Sequence, residues 1–96
     1  MSISMALDAI RDERKRQDEK WGVQNHGDLA WLAVLAEEFG EAAIAVTKAS
    51  VPPCYSRPTE EQEQALRKEL IQTAAVCVAW IQCLNRRRAF GAEAQP

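Results

Sequence analysis

The stretch from Leu29 to Ala49 contains no proline, and its apolar residues Trp31, Val34, Leu35, Ala42 and Ala45 recur at steps of three and four. That spacing lines one face of an α-helix and cannot line one face of a strand. A second stretch, from about residue 60 to Ala89, repeats the pattern through Leu66, Thr73, Val76, Cys77, Trp80 and Leu84. Between them, Ser50-Val51-Pro52-Pro53-Cys54-Tyr55-Ser56-Arg57-Pro58 cannot continue a helix, because proline lacks the amide donor and clashes with the preceding turn. Two long helices joined in this way are expected to lie antiparallel.

A third helix is expected from about Ile3 to Lys20, with Ile3, Leu7 and Ile10 as its apolar stripe. Continued, that stripe meets Arg14, Gln17 and Trp21, so its face turns polar halfway along. Ser2 or Ser4 is placed to cap it and Gly22 to end it. The connection Trp21-Gly22-Val23-Gln24-Asn25-His26-Gly27-Asp28 is rich in turn formers, and Asp28 is expected as the next N-cap. Thr59 and Gln62 have capping-box spacing, and Glu60 and Glu61 suit the positive end of the helix dipole. Gly91 is expected to stop the last helix. Arg86, Arg87 and Arg88 fall in its final turn, where positive charge is favoured. Gly40 is the one glycine inside the second helix, where close approach of a ligand or another helix would explain it. The reading is an all-α bundle, one domain over residues 1–96, with helices at about 3–20, 29–49 and 60–89 and a tail at 92–96.

Composition narrows the class. With 47% apolar and 27% charged residues, the chain has the make-up of a globular protein. A net charge of −2 argues against general binding of nucleic-acid polymers. Cys54, Cys77 and Cys83 have no metal-type spacing and read as reduced thiols. The charged run from Arg11 to Lys20 follows the start directly and leaves no room for a signal-type apolar core. No apolar stretch is long enough to cross a bilayer. A cytoplasmic protein without membrane association is expected. At 96 residues the core is small, which favours self-association.

The chemistry lies in what interrupts the stripes. Position 38 belongs to the apolar face of the second helix but is Glu38; Glu41 follows three residues on, and Glu37 and Glu41 flank the same face one turn apart. In the last helix Glu69 interrupts the stripe and Gln72 follows three residues on. Each long helix thus aims an acid at its neighbour. A buried, unpaired carboxylate costs several kcal/mol or takes up a proton, so something positive is expected among them. Mg²⁺ is one candidate, being a hard ion that takes oxygen ligands. An ion-pair network, with Arg14 meeting one glutamate, is another, and a solvent-filled groove is a third.

Glu37-Glu38-Phe39-Gly40-Glu41, followed by Glu69-Leu70-Ile71-Gln72, resembles the EExxE…ExxD pattern of the all-α nucleoside triphosphate pyrophosphohydrolases, and within them the MazG-like proteins. The similarity extends over Glu13 to Gly22, Trp31 to Ala36 and Ala74 to Trp80. The resemblance implies a helical bundle completed as a homodimer or a dimer of dimers. It implies cleavage between the α- and β-phosphates of a nucleoside triphosphate, giving monophosphate and pyrophosphate, with Mg²⁺ (or Mn²⁺ in its place), as house-cleaning of the nucleotide pool. By motif match, Glu38, Glu41 and Glu69 would be metal ligands, and Glu37 a further ligand or the group that orients water. Gln72 stands where the pattern has Asp; an amide oxygen coordinates without supplying charge. Arg14 and Lys20 would meet phosphate oxygens, with Gln17 beside them in the matched stretch, and Trp21 would stack on a base or plug the end of the bundle. Trp31 and Trp80 read as core or interface, and His26 as a turn residue. A non-catalytic nucleotide or metal sensor, favoured by Gln72, and a helical interaction module are the rival classes.

Overall fold

The computed structural model describes residues 2–50 and 58–90. Three helices follow one another: α1 (Ile3–Trp21), α2 (Asp28–Ser50) and α3 (Glu60–Phe90). Among the described residues there is no strand, in line with the all-α reading. The break at 51–57 with Cys54, the stop at Gly91 and the 92–96 tail lie outside the described residues.

The helix ends follow local chemistry. The Oγ of Ser2 accepts from the Met5 amide at 3.2 Å, opening α1. Thr59 and Gln62 form the reciprocal capping box: the Gln62 side chain accepts from the Thr59 amide at 2.8 Å, and the Thr59 hydroxyl accepts from the Gln62 amide at 3.1 Å. Gly22 closes α1 with φ 73° and ψ 178°, a conformation essentially restricted to glycine. Asp28 departs from expectation. The Gly27 carbonyl accepts from Trp31 N–H and begins α2, while the Asp28 carboxylate turns to α3. There it accepts from Trp80 Nε1 at 3.0 Å and pairs with Arg87 at 3.0 Å. A charged partner across the interface outcompeted a local cap.

α3 packs against both α1 and α2, which do not pack against each other. On α2 the inward face is the expected one: Trp31 and Ala42 are buried, and Val34, Leu35, Glu38 and Ala45 are half-buried. On α1 the expected stripe is out of phase. Ile3 and Leu7 are exposed, and Ala6, Ala9, Ile10, Glu13, Arg14, Gln17 and Asp18 are the half-buried positions. Glutamate, arginine and glutamine lie inward because their neighbour on that side is a polar cleft. On α3 the deepest residues are Ala75, Val76, Ala79 and Cys83 rather than Cys77, Trp80 and Leu84. A helix flanked on two sides buries the residues between its two contact faces. Trp31, Val76, Ala79 and Cys83 form the core, with Val34, Leu35 and Trp80 against it. Cys77 and Cys83 are free thiols.

Gly22 and Gly40 have no neighbouring atom within 4 Å of an added Cβ, so their substitutions report backbone alone. Gly22→Ala is expected to destabilise the chain by about 1–3 kcal/mol through strain at positive φ. Gly40→Ala is expected to stabilise its helix by up to about 1 kcal/mol. Chemical denaturation of both variants checks this; shifts of the same sign would contradict it.

Candidate functional site

Because α1 and α2 lean on α3 without touching, a cleft of about 440 Å³ opens between them. α3 supplies Gln72, Val76 and Ala79. α2 contributes Trp31, Val34, Glu37, Glu38 and Glu41, and α1 contributes Glu13, Arg16, Gln17, Lys20 and Trp21. The connection between them adds Gln24 and His26. Four carboxylates face two fixed cations, so the cleft is acidic overall.

The acids concentrate at one place. One carboxylate oxygen from each of Glu38, Glu41 and Glu69 lies within 4.8 Å of the others. The two interrupted stripes therefore do converge. Glu41 borders both the main cleft and a smaller recess of about 330 Å³, where it meets Glu69, Ile44 and Lys48. Glu69 closes the cluster from behind and does not line the main cleft. Among the described residues none of the three forms an ion pair. The Oε2 atoms of Glu38 and Glu69 are buried without a hydrogen-bond partner. Burial raises the Glu38 carboxyl above its ordinary range, and the charges of Glu41, Glu69, Glu37 and Glu13 add to the shift. Burial, followed by the adjoining Glu41, raises Glu69 in the same direction. Two orphaned acceptors beside a third carboxylate fit a small hard cation, which would satisfy the lone pairs and cancel the repulsion together.

Arginine does not satisfy the cluster. Arg14 donates to Asp18 at 2.7 Å, to Gln17 at 2.9 Å and across to Gln82 of α3 at 3.0 Å. It does not line the cleft and pairs with no glutamate of the cluster. The arginine in the cleft is Arg16, held by Glu13 through two bonds of 2.9 and 2.7 Å. That pairing lowers the Glu13 carboxyl. Lys20 Nζ stands 4.6 Å from the centre of the Trp21 ring. Trp21 is about half exposed and so presents a face rather than plugging the bundle. His26 packs edge-on to Trp31 at 4.8 Å, and Trp31 Nε1 is buried without a partner.

Glu37, Glu38, Glu41, Gln72, Gln17, Lys20 and Trp21 are thus gathered around one cleft, with Glu69 behind it and Arg14 turned away. Glu13, Arg16, Gln24 and His26 belong to the cleft without having been expected there. The first two were legible: Glu13, Arg16, Gln17 and Lys20 follow one another at helical spacing on a single face. Gln24 and His26 sit in an irregular connection, whose path no periodicity encodes.

The raised acids give a pH dependence with a definite sign. Glu38 and Glu69 hold protons more tightly folded than unfolded. Between the ordinary carboxylate value of about 4.3 and the raised one, the folded chain therefore binds more protons, and stability falls as pH rises. Glu13 and Asp28 are depressed, Glu13 chiefly by its bond from Arg16 and Asp28 by those from Trp80 and Arg87; their contribution is lost only as pH falls below about 4. With a chelator present, the chain is expected to melt higher at a pH just above the ordinary carboxylate value, about 4.5, than at pH 7.5, and Glu38→Gln to shrink the difference. A wild-type gap that Glu38→Gln leaves intact would show that this acid is not strained.

No family model, no curated protein and no solved structure matches this chain.

Proposed function

We propose that the chain is a MazG-like nucleoside triphosphate pyrophosphohydrolase using Mg²⁺. The carrying observation is the convergence of Glu38, Glu41 and Glu69 within 4.8 Å with two buried, unpartnered oxygens. In this reading α2 and α3 run antiparallel, with Asp28 against Arg87 at one end and Glu41 against Glu69 toward the other. Glu38, Glu41 and Glu69 hold the cation, with the Gln72 amide beside them. Held there, the ion would neutralise charge on the phosphates and lower the cost of generating hydroxide.

The remaining residues have separable tasks. Glu37 lines the cleft outside the cluster. It is free to orient a water and take its proton as the oxygen attacks the α-phosphorus and the bond to the β-phosphate oxygen breaks. Arg16 and Lys20 meet phosphate oxygens from the opposite wall. Trp31 precedes Glu38 by two helical turns, roughly 10 Å along the axis. That separation leaves room for a nucleoside between the acids and the aromatic end, with Trp21 available to stack on the base.

The test is pyrophosphate release from a panel of natural and modified triphosphates with and without Mg²⁺. Glu38→Gln and Glu69→Gln are each expected to lower kcat/KM by about 10²-fold or more, the scale of losing one electrostatic contributor to the transition state. Gln72→Asp is expected to tighten Mg²⁺ binding, because it adds a charged ligand. Binding of triphosphate without turnover in the wild type would favour a sensor. Indifference to both metal and nucleotide would leave an interaction module.

The reading includes self-association. Within the chain α1 and α2 cover part of the girth of α3, and Leu70, Ile81 and Leu84 stay exposed on it. A continuous uncovered apolar seam runs along α2. Leu29, Leu32, Ala36, Phe39, Ala43 and Val46 are all exposed and alternate steps of three and four, the spacing of a helix–helix seam. Phe39 and Leu29 are 67% and 84% exposed, which a lone chain gains nothing by maintaining. A second copy would bury this seam. Sedimentation at micromolar concentration is expected to give a dimer or larger for the wild type and a monomer for Phe39→Asp. A monomeric wild type would remove this part of the proposal.

A further inference from the structure

The connection from Gly22 to Gly27 has no regular structure of its own, yet it supplies Gln24 and His26 to the cleft. The backbone bonds of this connection are confined to its two ends, where Gly22 N–H donates to the Asp18 carbonyl and the Gly27 carbonyl accepts from Trp31. Between them, Gln24, Asn25 and His26 are held from the end of α3. Arg86 donates to the Gln24 carbonyl at 3.0 Å and to the Asn25 side chain at 2.9 Å. Arg87 donates to the His26 carbonyl at 3.1 Å and is anchored on Asp28. Cys83 Sγ adds a long contact of 3.7 Å to the same His26 carbonyl.

Arg87 is a buried cation at 9% exposure, and neither arginine lines the cleft. Positive charge at a helix C-terminus would be served equally by side chains reaching into solvent. Instead two successive arginines spend their planar donor forks on alternate carbonyls of one connection. Such a fork fixes direction as well as distance, which a lysine cannot reproduce.

We propose that Arg86 and Arg87 are positioning residues that fix the 22–27 connection as the end wall of the cleft and thereby set its affinity for the nucleoside end of the ligand. Their effect passes through Gln24 and His26, whose side chains face the cleft while their carbonyls are held from behind. The ligand's identity rests on the nucleotide reading above; the clamp itself rests on the bonds just described. Released, the connection would have to be ordered anew by each ligand, at the expense of binding. The acids sit on rigid helices away from it and would keep their arrangement, so turnover at saturation should be spared.

The experiment uses the full chain with Arg86→Ala, Arg87→Ala and Arg87→Lys. It reads limited proteolysis of the 22–27 connection, amide hydrogen exchange of the core, melting, and pyrophosphate release across triphosphate and Mg²⁺ concentrations. Proteolytic cleavage within residues 22–27 is expected to be about tenfold faster in the alanine variants, while the amides around Val76 and Ala79 keep their protection from exchange. KM for triphosphate should rise about tenfold or more, the scale of one lost charge-assisted hydrogen bond, with kcat within about threefold. Arg87→Lys should recover part of the KM loss. Should Arg87→Ala fail to fold, Arg86→Ala, whose side chain is only half-buried, carries the test. Unchanged cleavage at 22–27 overturns the clamp, and faster cleavage with an unchanged KM overturns its role in affinity. A fall in kcat matched by global loss of protection assigns the arginines a structural role and also overturns it. A wild type that neither binds nor cleaves any triphosphate refutes the nucleotide reading and takes the affinity role with it, whereas an active wild type with indifferent variants refutes the clamp alone.

Discussion

Everything in this molecule leans on α3. The other two helices pack against it and not against each other, so one surface must serve as core and as cleft floor. Small residues make this possible. Ala75 and Ala79 let neighbouring backbones approach closely, and Val76 serves both purposes, packing with Trp31 while facing the cleft. A third interface between α1 and α2 would have given a better-buried bundle and no cleft. Incomplete packing is the physical origin of the site.

The electrostatics follow from the same arrangement. Glu38 occupies the inward stripe of α2, and Glu69 rises from α3 to meet it, so the cluster is built where two helices must approach. Burial and mutual repulsion act on these acids together, and no arginine or lysine pairs with them among the described residues. Arg16 is committed to Glu13, and Arg87, at the other end of the α2–α3 contact, to Asp28; Lys68 and Lys48 lie near Glu69 without pairing with it. Charge in the bundle is therefore segregated. Compensated pairs hold α1 together and join the ends of α2 and α3, and an uncompensated cluster faces the cleft, where a bound cation would gain most.

Much of the architecture was legible before any coordinates. The inward face of α2 agrees residue by residue with its apolar periodicity, including Glu38 as the intruder. The Ser2 cap, the Thr59–Gln62 box and the Gly22 stop are local effects that depend on a few neighbouring atoms. Legibility failed wherever a residue had a choice of distant partners. Asp28 was a good cap by rule and became the partner of Trp80 and Arg87. Arg14 was a plausible ligand group and turned to Asp18 and Gln82. The triple arginine suited a helix dipole, and Arg86 and Arg87 instead hold a connection some sixty residues earlier in the chain.

The sequence by itself determined the three helices, the caps at Ser2, Gly22 and Thr59, and the placing of glutamates on faces that must turn inward, because helical periodicity and capping act within a few residues. Tertiary structure alone decided that Glu38, Glu41 and Glu69 share one point, that α1 turns a polar face toward a cleft, and that the 22–27 connection is fastened from α3. Those outcomes depend on which surfaces α3 covers. That is a competition among distant partners for one helix, and no local pattern records its result.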